Sequence, residues 1–240
     1  MENKPLEIID GRIVLQQAKS DAAARFISLV FGWMSIALTI TAATAFYALY
    51  TGSIINLIRE NTIFFYGLII GELLLVFSLG GMIHRMSLTT AMAIFLFYAC
   101  LNGLTLSLLF LIYSMGSIVS TFLITAGTFA VMALYGYTTK SDLTKLGNLL
   151  FMALIGLILA SLVNYFLNSS TLYWITTYAG VLIFTGLVAY DTQKIKEMHT
   201  AVEEGSETYT KMAIIGALKL YLDFINLFIY LLRIFGSRKN

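Results

Sequence analysis

Seven stretches of apolar residues follow one another along the chain, separated by short polar breaks. They run over 26–50, 62–83, 88–113, 117–137, 146–167, 171–191 and 211–235. A run of roughly 20 apolar residues matches the hydrocarbon thickness of a bilayer. Inside lipid a helix satisfies its own backbone donors and acceptors. The pattern therefore predicts an all-α membrane protein with seven transmembrane helices. The breaks at His84–Ser87, Ser114–Ser117 and Asn168–Ser170 are short enough to predict antiparallel hairpins, and Asn56–Asn61 and Thr138–Lys145 also carry turn chemistry. Only the 193–210 connection reads as long and polar, with Glu203, Glu204 and Glu207 in it. Pro5 is the only proline, so no span carries a proline kink, and the matched broken helices of many transporters are not evident. Small residues recur at four-residue spacing, as Ala99, Gly103 and Ser107 and as Gly156 and Ala160, which predicts close helix approach.

Composition narrows this further. Of 240 residues, 59% are hydrophobic and 12% charged, half the charge of an average soluble domain at about 25%. One membrane domain over 26–238, preceded by a polar cytoplasmic segment over 1–25, is the simplest account. That segment mixes Glu2, Lys4, Glu7, Asp10, Arg12, Lys19, Asp21 and Arg25, which fits neither a cleaved signal nor a transit peptide. The first span is expected to serve as its own uncleaved signal. A net charge of +2 without a basic patch argues against a nucleic-acid partner. Cys100 is the single cysteine, so neither an intramolecular disulfide nor a zinc pattern is available. His84 and His199 flank spans without a metal-ligand partner, and no HExxH, GxSxG or phosphate-loop signature occurs. An enzyme is not expected, nor a bound cofactor.

Cations orient the chain. Lys4, Arg12, Lys19, Arg25, Arg85, Lys140, Lys145, Lys194, Lys196 and Lys211 fall on the N-terminal side, against Arg59 alone on the other before the C-terminus. By the positive-inside rule the N-terminus is cytoplasmic. Arg233, Arg238 and Lys239 then lie outside if the last segment crosses fully. A re-entrant last segment would avoid this, but its length and lack of proline favour a full crossing.

The ionisable residues left inside the spans are Glu72, Arg85, Asp191, Lys219, Asp223 and Arg233. Such residues are costly in lipid and are functional candidates by default. Lys219, Asp223, Asn226, Tyr230 and Arg233 are spaced by 4, 3, 4 and 3, which on a helix is one narrow stripe. That stripe should face the protein interior or a wet cavity, so the last helix is expected to be central. Topology predicts that Arg85, Asp191 and Asp223 meet in the cytoplasmic half. Glu72, roughly 20 Å beyond Arg85, and Arg233, roughly 15 Å beyond Asp223, should reach similar levels as a second pair. Two aspartates in a partly dry site cannot readily both ionise and are expected to share a proton. Carboxylate oxygens also suit Ca²⁺, so Asp191 and Asp223 are candidate transient ligands. A structural salt bridge that fixes helix register explains the same spacing.

The run Leu220-Tyr221-Leu222-Asp223-Phe224-Ile225-Asn226-Leu227-Phe228, followed by Leu231-Leu232-Arg233, resembles the C-terminal signature of the Bax inhibitor-1 family of transmembrane Bax-inhibitor-motif proteins. Ala189-Tyr190-Asp191-Thr192-Gln193-Lys194 is similar to the family's penultimate-helix motif. Tyr135 to Leu143 and Leu101 to Ser107 resemble its bacterial inner-membrane branch, and the likeness covers about residues 25–238. The resemblance implies two three-helix layers around the last helix. It implies a pH-sensitive calcium leak with a di-aspartyl sensor at Asp191 and Asp223 and an arginine partner, best matched by Arg85. It also implies a further charge pair at Glu72 and Arg233. Two departures stand out: the longer loop between the aspartates, and Lys219 one turn before Asp223. That lysine would favour an ionised Asp223 and repel Ca²⁺, or else snorkel to the interface.

Rival readings remain. A proton-coupled cation antiporter would use the same aspartates. A non-conducting partner of another membrane protein would use the 193–210 loop. A rhodopsin-like receptor fails because no Asp or Glu lies between Glu72 and Asp142 to serve as counter-ion. The partners expected are the bilayer, Ca²⁺ and protons.

Overall fold

The computed structural model describes the backbone of residues 4–239, and the side chains of that stretch except residues 4–16, Ala18, Lys19, Ser53 and Ala201. Glu2 and the side chains of Lys4, Glu7, Asp10, Arg12 and Lys19 therefore lie outside the described part. The helices are α1 (Lys4–Thr51), α2 (Ser53–Glu60), α3 (Thr62–Met82), α4 (Leu88–Leu106), α5 (Leu109–Ile112), α6 (Met115–Thr138), α7 (Thr144–Leu167), α8 (Ser170–Met198) and α9 (Glu207–Phe235). Among the described residues seven segments are long and apolar enough to cross a membrane. They lie in α1, α3, α4 with α5, α6, α7, α8 and α9. The face where Ser20 enters is called the near face below, and the opposite one the far face.

The polar breaks act as helix punctuation. Asn61, Ser87, Ser114, Ser169 and Ser206 each cap the next helix by accepting a backbone N–H three residues on. These caps satisfy donors that the first helical turn leaves open. Two expectations change here. The 193–210 connection contracts to eight residues, Met198 and Glu207 being helical. Its polar ends pair along the helix axis: Lys194 with Glu197 at 2.9 Å and Lys211 with Glu207 at 2.8 Å. Polarity there marked helix leaving the membrane rather than loop. The break before Asn61 holds a short helix, α2. α1 also runs without interruption from Lys4, so no change of structure marks residue 25.

The last helix carries most of the burial. Within its best membrane-length window 67% of α9 is buried, against 11% for α3 and for α7. It packs on α1, α4, α6 and α8. By contrast α3 packs mainly on α4, and α7 mainly on α8. Expected close approaches are found at Gly103, where an added Cβ would stand 2.5 Å from the Thr41 carbonyl oxygen. At Gly156 nothing comes within 4 Å, so that half of the small-residue expectation fails: this face of α7 meets no neighbouring helix.

α9 is one uninterrupted helix, and the chain beyond it is clasped on the far face. Ser114 N–H donates to the Ser237 carbonyl at 3.1 Å, Ser237 N–H to Ser117 Oγ at 2.9 Å, and Lys239 N–H to the Ile112 carbonyl at 2.9 Å. The Lys239 ammonium binds the Phe110 carbonyl at 2.8 Å, a cation at a helix C-terminus.

Candidate functional site

The polar stripe of α9 faces a cavity of about 1020 Å³. Lys219, Asp223, Asn226 and Tyr230 line it from α9, Asp191 and Tyr190 from α8, Glu72 from α3, Tyr98 from α4, and apolar residues from α7. Arg233, the fifth member of the stripe, does not line it.

The register of α8 on α9 sets the charges. Tyr230 stacks over Gly180, where any Cβ would collide with its ring. The same antiparallel register brings Lys219 level with Asp191, 3.8 Å from Nζ to Oδ1, and leaves Asp223 one turn deeper. The Asp191 side chain is 14% exposed and the Lys219 side chain 43%. Asp223 is 5% exposed. Its carboxyl group lies within hydrogen-bonding reach of Asp191 if either carries a proton. Asp223 Oδ2 is buried and meets no donor. Two facing carboxylates are acceptors only, so a partner for this oxygen has to come from a proton, a cation or water. Among the described residues no three His, Cys, Asp or Glu side chains converge as a metal cage. Water or other oxygens would have to complete the shell of a Ca²⁺ ion held by the pair.

Glu72 belongs to a second polar network. Its carboxylate accepts from Thr105 Oγ1 at 2.6 Å and from Asn102 Nδ2 at 3.4 Å. The Tyr221 hydroxyl donates to Asn102 Oδ1 at 3.1 Å and meets Thr41 Oγ1 at 2.7 Å, and Thr41 donates to the Ala99 carbonyl at 2.9 Å. The network thus runs from the cavity wall through α4 and α9 to α1. Just beyond it α4 loosens at Ser107, whose hydroxyl donates to the Leu104 carbonyl at 2.6 Å. Asn102, Thr105 and Tyr221 are functional candidates that polarity within apolar runs could have suggested. Thr41 gives no such signal, because it is one of three threonines between Thr39 and Thr44.

Two expected pairings are not formed. Arg85 sits exposed on the turn Ile83–Arg85 and makes no ion pair with either aspartate. The cation at the dyad is Lys219, because the near end of α8 runs on past Asp191 and leaves that residue well inside the molecule. Glu72 and Arg233 also stand apart. Glu72 is level with Tyr221 through Asn102, about three turns of α9 from Arg233. Arg233 instead lies over the rings of Tyr230 and Tyr173, at 4.9 and 5.4 Å. The expectation of equal depth needs Asp223 level with Arg85, whereas Asp223 is near the middle of its helix. Lys219, expected to act on Asp223 along its own helix, pairs across to Asp191. Asn226 donates to the Leu222 carbonyl at 2.8 Å and keeps its place on the cavity wall.

The near end of the site is braced by α8. Gln193 accepts from Leu143 N–H and donates to the Ser141 carbonyl, both at 2.9 Å. Lys196 donates to the Tyr137 carbonyl at 2.8 Å. Gly136 of α6 lies directly on the Ala189 carbonyl, and Gly147 of α7 on the Tyr190 ring. The sequence runs 135–143 and 189–194 are thus two sides of one contact. In the same loop Asp142 accepts from Thr144 Oγ1 at 2.5 Å and Thr144 N–H at 2.9 Å. These bonds, the hydroxyl's first, hold its carboxyl below the ordinary value.

Comparison with known proteins places this architecture. The family described as "Inhibitor of apoptosis-promoting Bax1" matches residues 23–240. The inner membrane protein YbhL of Escherichia coli is 50% identical over 215 residues, covering 89% of this chain and 92% of that protein. An uncharacterized protein of Borreliella burgdorferi is 49% identical over 216 residues, covering 90% and 93%. One from Rickettsia prowazekii is 42% identical over 222 residues, covering 90% and 91%. With the match spanning all seven membrane segments and both aspartate motifs, the chain belongs to the Bax inhibitor-1 family, in the bacterial branch that includes YbhL.

Proposed function

We propose that the chain is a pH-sensitive passive pathway for Ca²⁺ in a bacterial inner membrane, with its N-terminus cytoplasmic. A proton shared by Asp191 and Asp223 governs the pathway. The observation that carries this reading is the donorless Asp223 oxygen, buried beside a second carboxyl in a cavity that also holds Glu72. Oxygen ligands of this kind suit Ca²⁺, and a proton and a metal ion compete for them. Lys219 is the resident counter-charge, in the role the resemblance gave to an arginine. Glu72 is a second carboxylate station along the same cavity. The other ionisable groups lining the cavity are the phenols of Tyr98, Tyr190 and Tyr230; α7 contributes none. The packing of α9 against α1, α4, α6 and α8 supports the finer picture of two three-helix layers around a central last helix.

The test is Ca²⁺ flux into proteoliposomes across pH 5–8, for wild type, Asp191→Asn and Asp223→Asn. Wild-type flux is expected to change across this range and both variants to respond flatly. Retention of the wild-type profile by both variants overturns the sensor assignment. Flux in the absence of a pH gradient separates a leak from obligatory exchange.

A further inference from the structure

The cavity is far larger than a metal ion requires. Ligand pockets run about 300–1,000 Å³ and combine mostly apolar walls with a few convergent polar groups, and this one reaches about 1020 Å³. Its floor holds Glu72, Asp191 and Asp223 against the single ammonium of Lys219. Asp223 is 95% buried by its 5% exposure, lines the cavity, and has an oxygen with no donor. The walls are mostly aromatic and aliphatic, with Asn148 and Ser161 the polar exceptions on α7. Leu73 of α3 and Phe151 of α7 line it while remaining 52% and 61% exposed. They stand on the two least buried spans, each packed mainly on one neighbour. The cavity is therefore reached sideways, from the hydrocarbon core between α3 and α7.

We propose that this cavity binds a lipophilic organic monocation, an alkyl or aryl ammonium or phosphonium. Its apolar body lies on the walls of α3 and α7, and its charge lies at Asp223 and Glu72. Such cations partition into bilayers, where an unpaired carboxylate is the strongest available attraction and aromatic faces add to it. The binding needs no ion conduction. Only the corollary, that an occupied cavity stops Ca²⁺ flux, rests on the proposed function.

Tetraphenylphosphonium is the probe, in equilibrium dialysis against the full-length protein in nanodiscs, with protein-free nanodiscs as the blank. Saturable binding above the blank is expected, with no saturable binding of neutral triphenylphosphine oxide. Asp223→Asn and the double variant Leu73→Ala, Phe151→Ala should each weaken binding about tenfold. The double variant truncates two half-exposed wall side chains, so its folding is not at stake. Binding equal to the blank overturns the inference, as does binding indifferent to both variants. Saturable binding without any Ca²⁺ flux would leave this site standing and remove the leak. Flux without binding would do the reverse.

Discussion

Lys219 is the residue whose position changes the chemistry most. A free ammonium on one face of α9 would have had two carboxylates to choose from, and the α8–α9 register gives it Asp191 at 3.8 Å. An adjacent cation favours ionised carboxylates and opposes a second cation at the same oxygens. Lys219→Met should therefore raise Ca²⁺ flux severalfold at neutral pH and move its pH profile upward. Parallel flux curves for wild type, Lys219→Met and Lys219→Arg check this, and superimposable curves for the first two would refute it. Arg85→Ala should leave the profile where it is, since Arg85 reaches neither aspartate. Asp142 provides a control outside the membrane. Its folded value lies below the ordinary 3.8, first because of the Thr144 hydroxyl. A depressed carboxyl contributes stability that is complete above its unfolded value and lost only as pH falls through the lower folded one. Nothing at Asp142 titrates between pH 5 and 8, so Asp142→Asn should keep the wild-type flux profile; a flattened one would put the sensor in the α6–α7 loop.

At the scale of the helices, what the sequence reveals depends on whether the relevant force is local. Apolar length and capping residues are local, and the spans begin where Asn61, Ser87, Ser114, Ser169 and Ser206 stand. The polar stripe of α9 was equally legible, because any helix with that spacing must hide it from lipid. Helix pairing is not local. Gly103 and Gly156 have the same kind of small-residue spacing, yet only Gly103 meets another backbone. Glu72 and Arg233 have complementary charge, yet the first is held by Thr105 and Asn102 and the second by aromatic rings. Depth along the membrane can be counted from sequence, whereas direction around the helix axis toward a distant partner cannot. The contrast is testable. Gly136→Leu forces α6 off the Ala189 carbonyl and should destabilise the protein by about 1–3 kcal/mol, seen as a lower melting temperature in detergent. Gly156→Leu faces open space and should melt with wild type. Equal losses from both would mean that the α6–α8 contact does not carry the packing.

At the scale of the whole molecule the question is how a chain with its cations gathered near the N-terminal face tolerates three more at the other end. These three far-face cations are fixed by partners: Arg233 over Tyr173 and Tyr230, Arg238 beside the hydroxyls of Tyr113 and Tyr173, and Lys239 on the Phe110 carbonyl. The positive-inside bias acts on loops during insertion, and a short tail that folds back onto the α5–α6 turn ends with its charges occupied. An unbroken α9 then requires its two ends to face different compartments. In a Cys100→Ser background, Glu203→Cys precedes α9 on the near face, and Ser237→Cys follows it in the tail. Ser237 binds its neighbours through the backbone alone, so the substitution leaves the clasp intact. A membrane-impermeant maleimide applied to intact spheroplasts should label Ser237→Cys and spare Glu203→Cys, and inside-out vesicles should reverse the pattern. Labelling of both from one side would mean that the last helix turns back. The dyad would then lose its place between two compartments, and with it any role in moving an ion from one to the other.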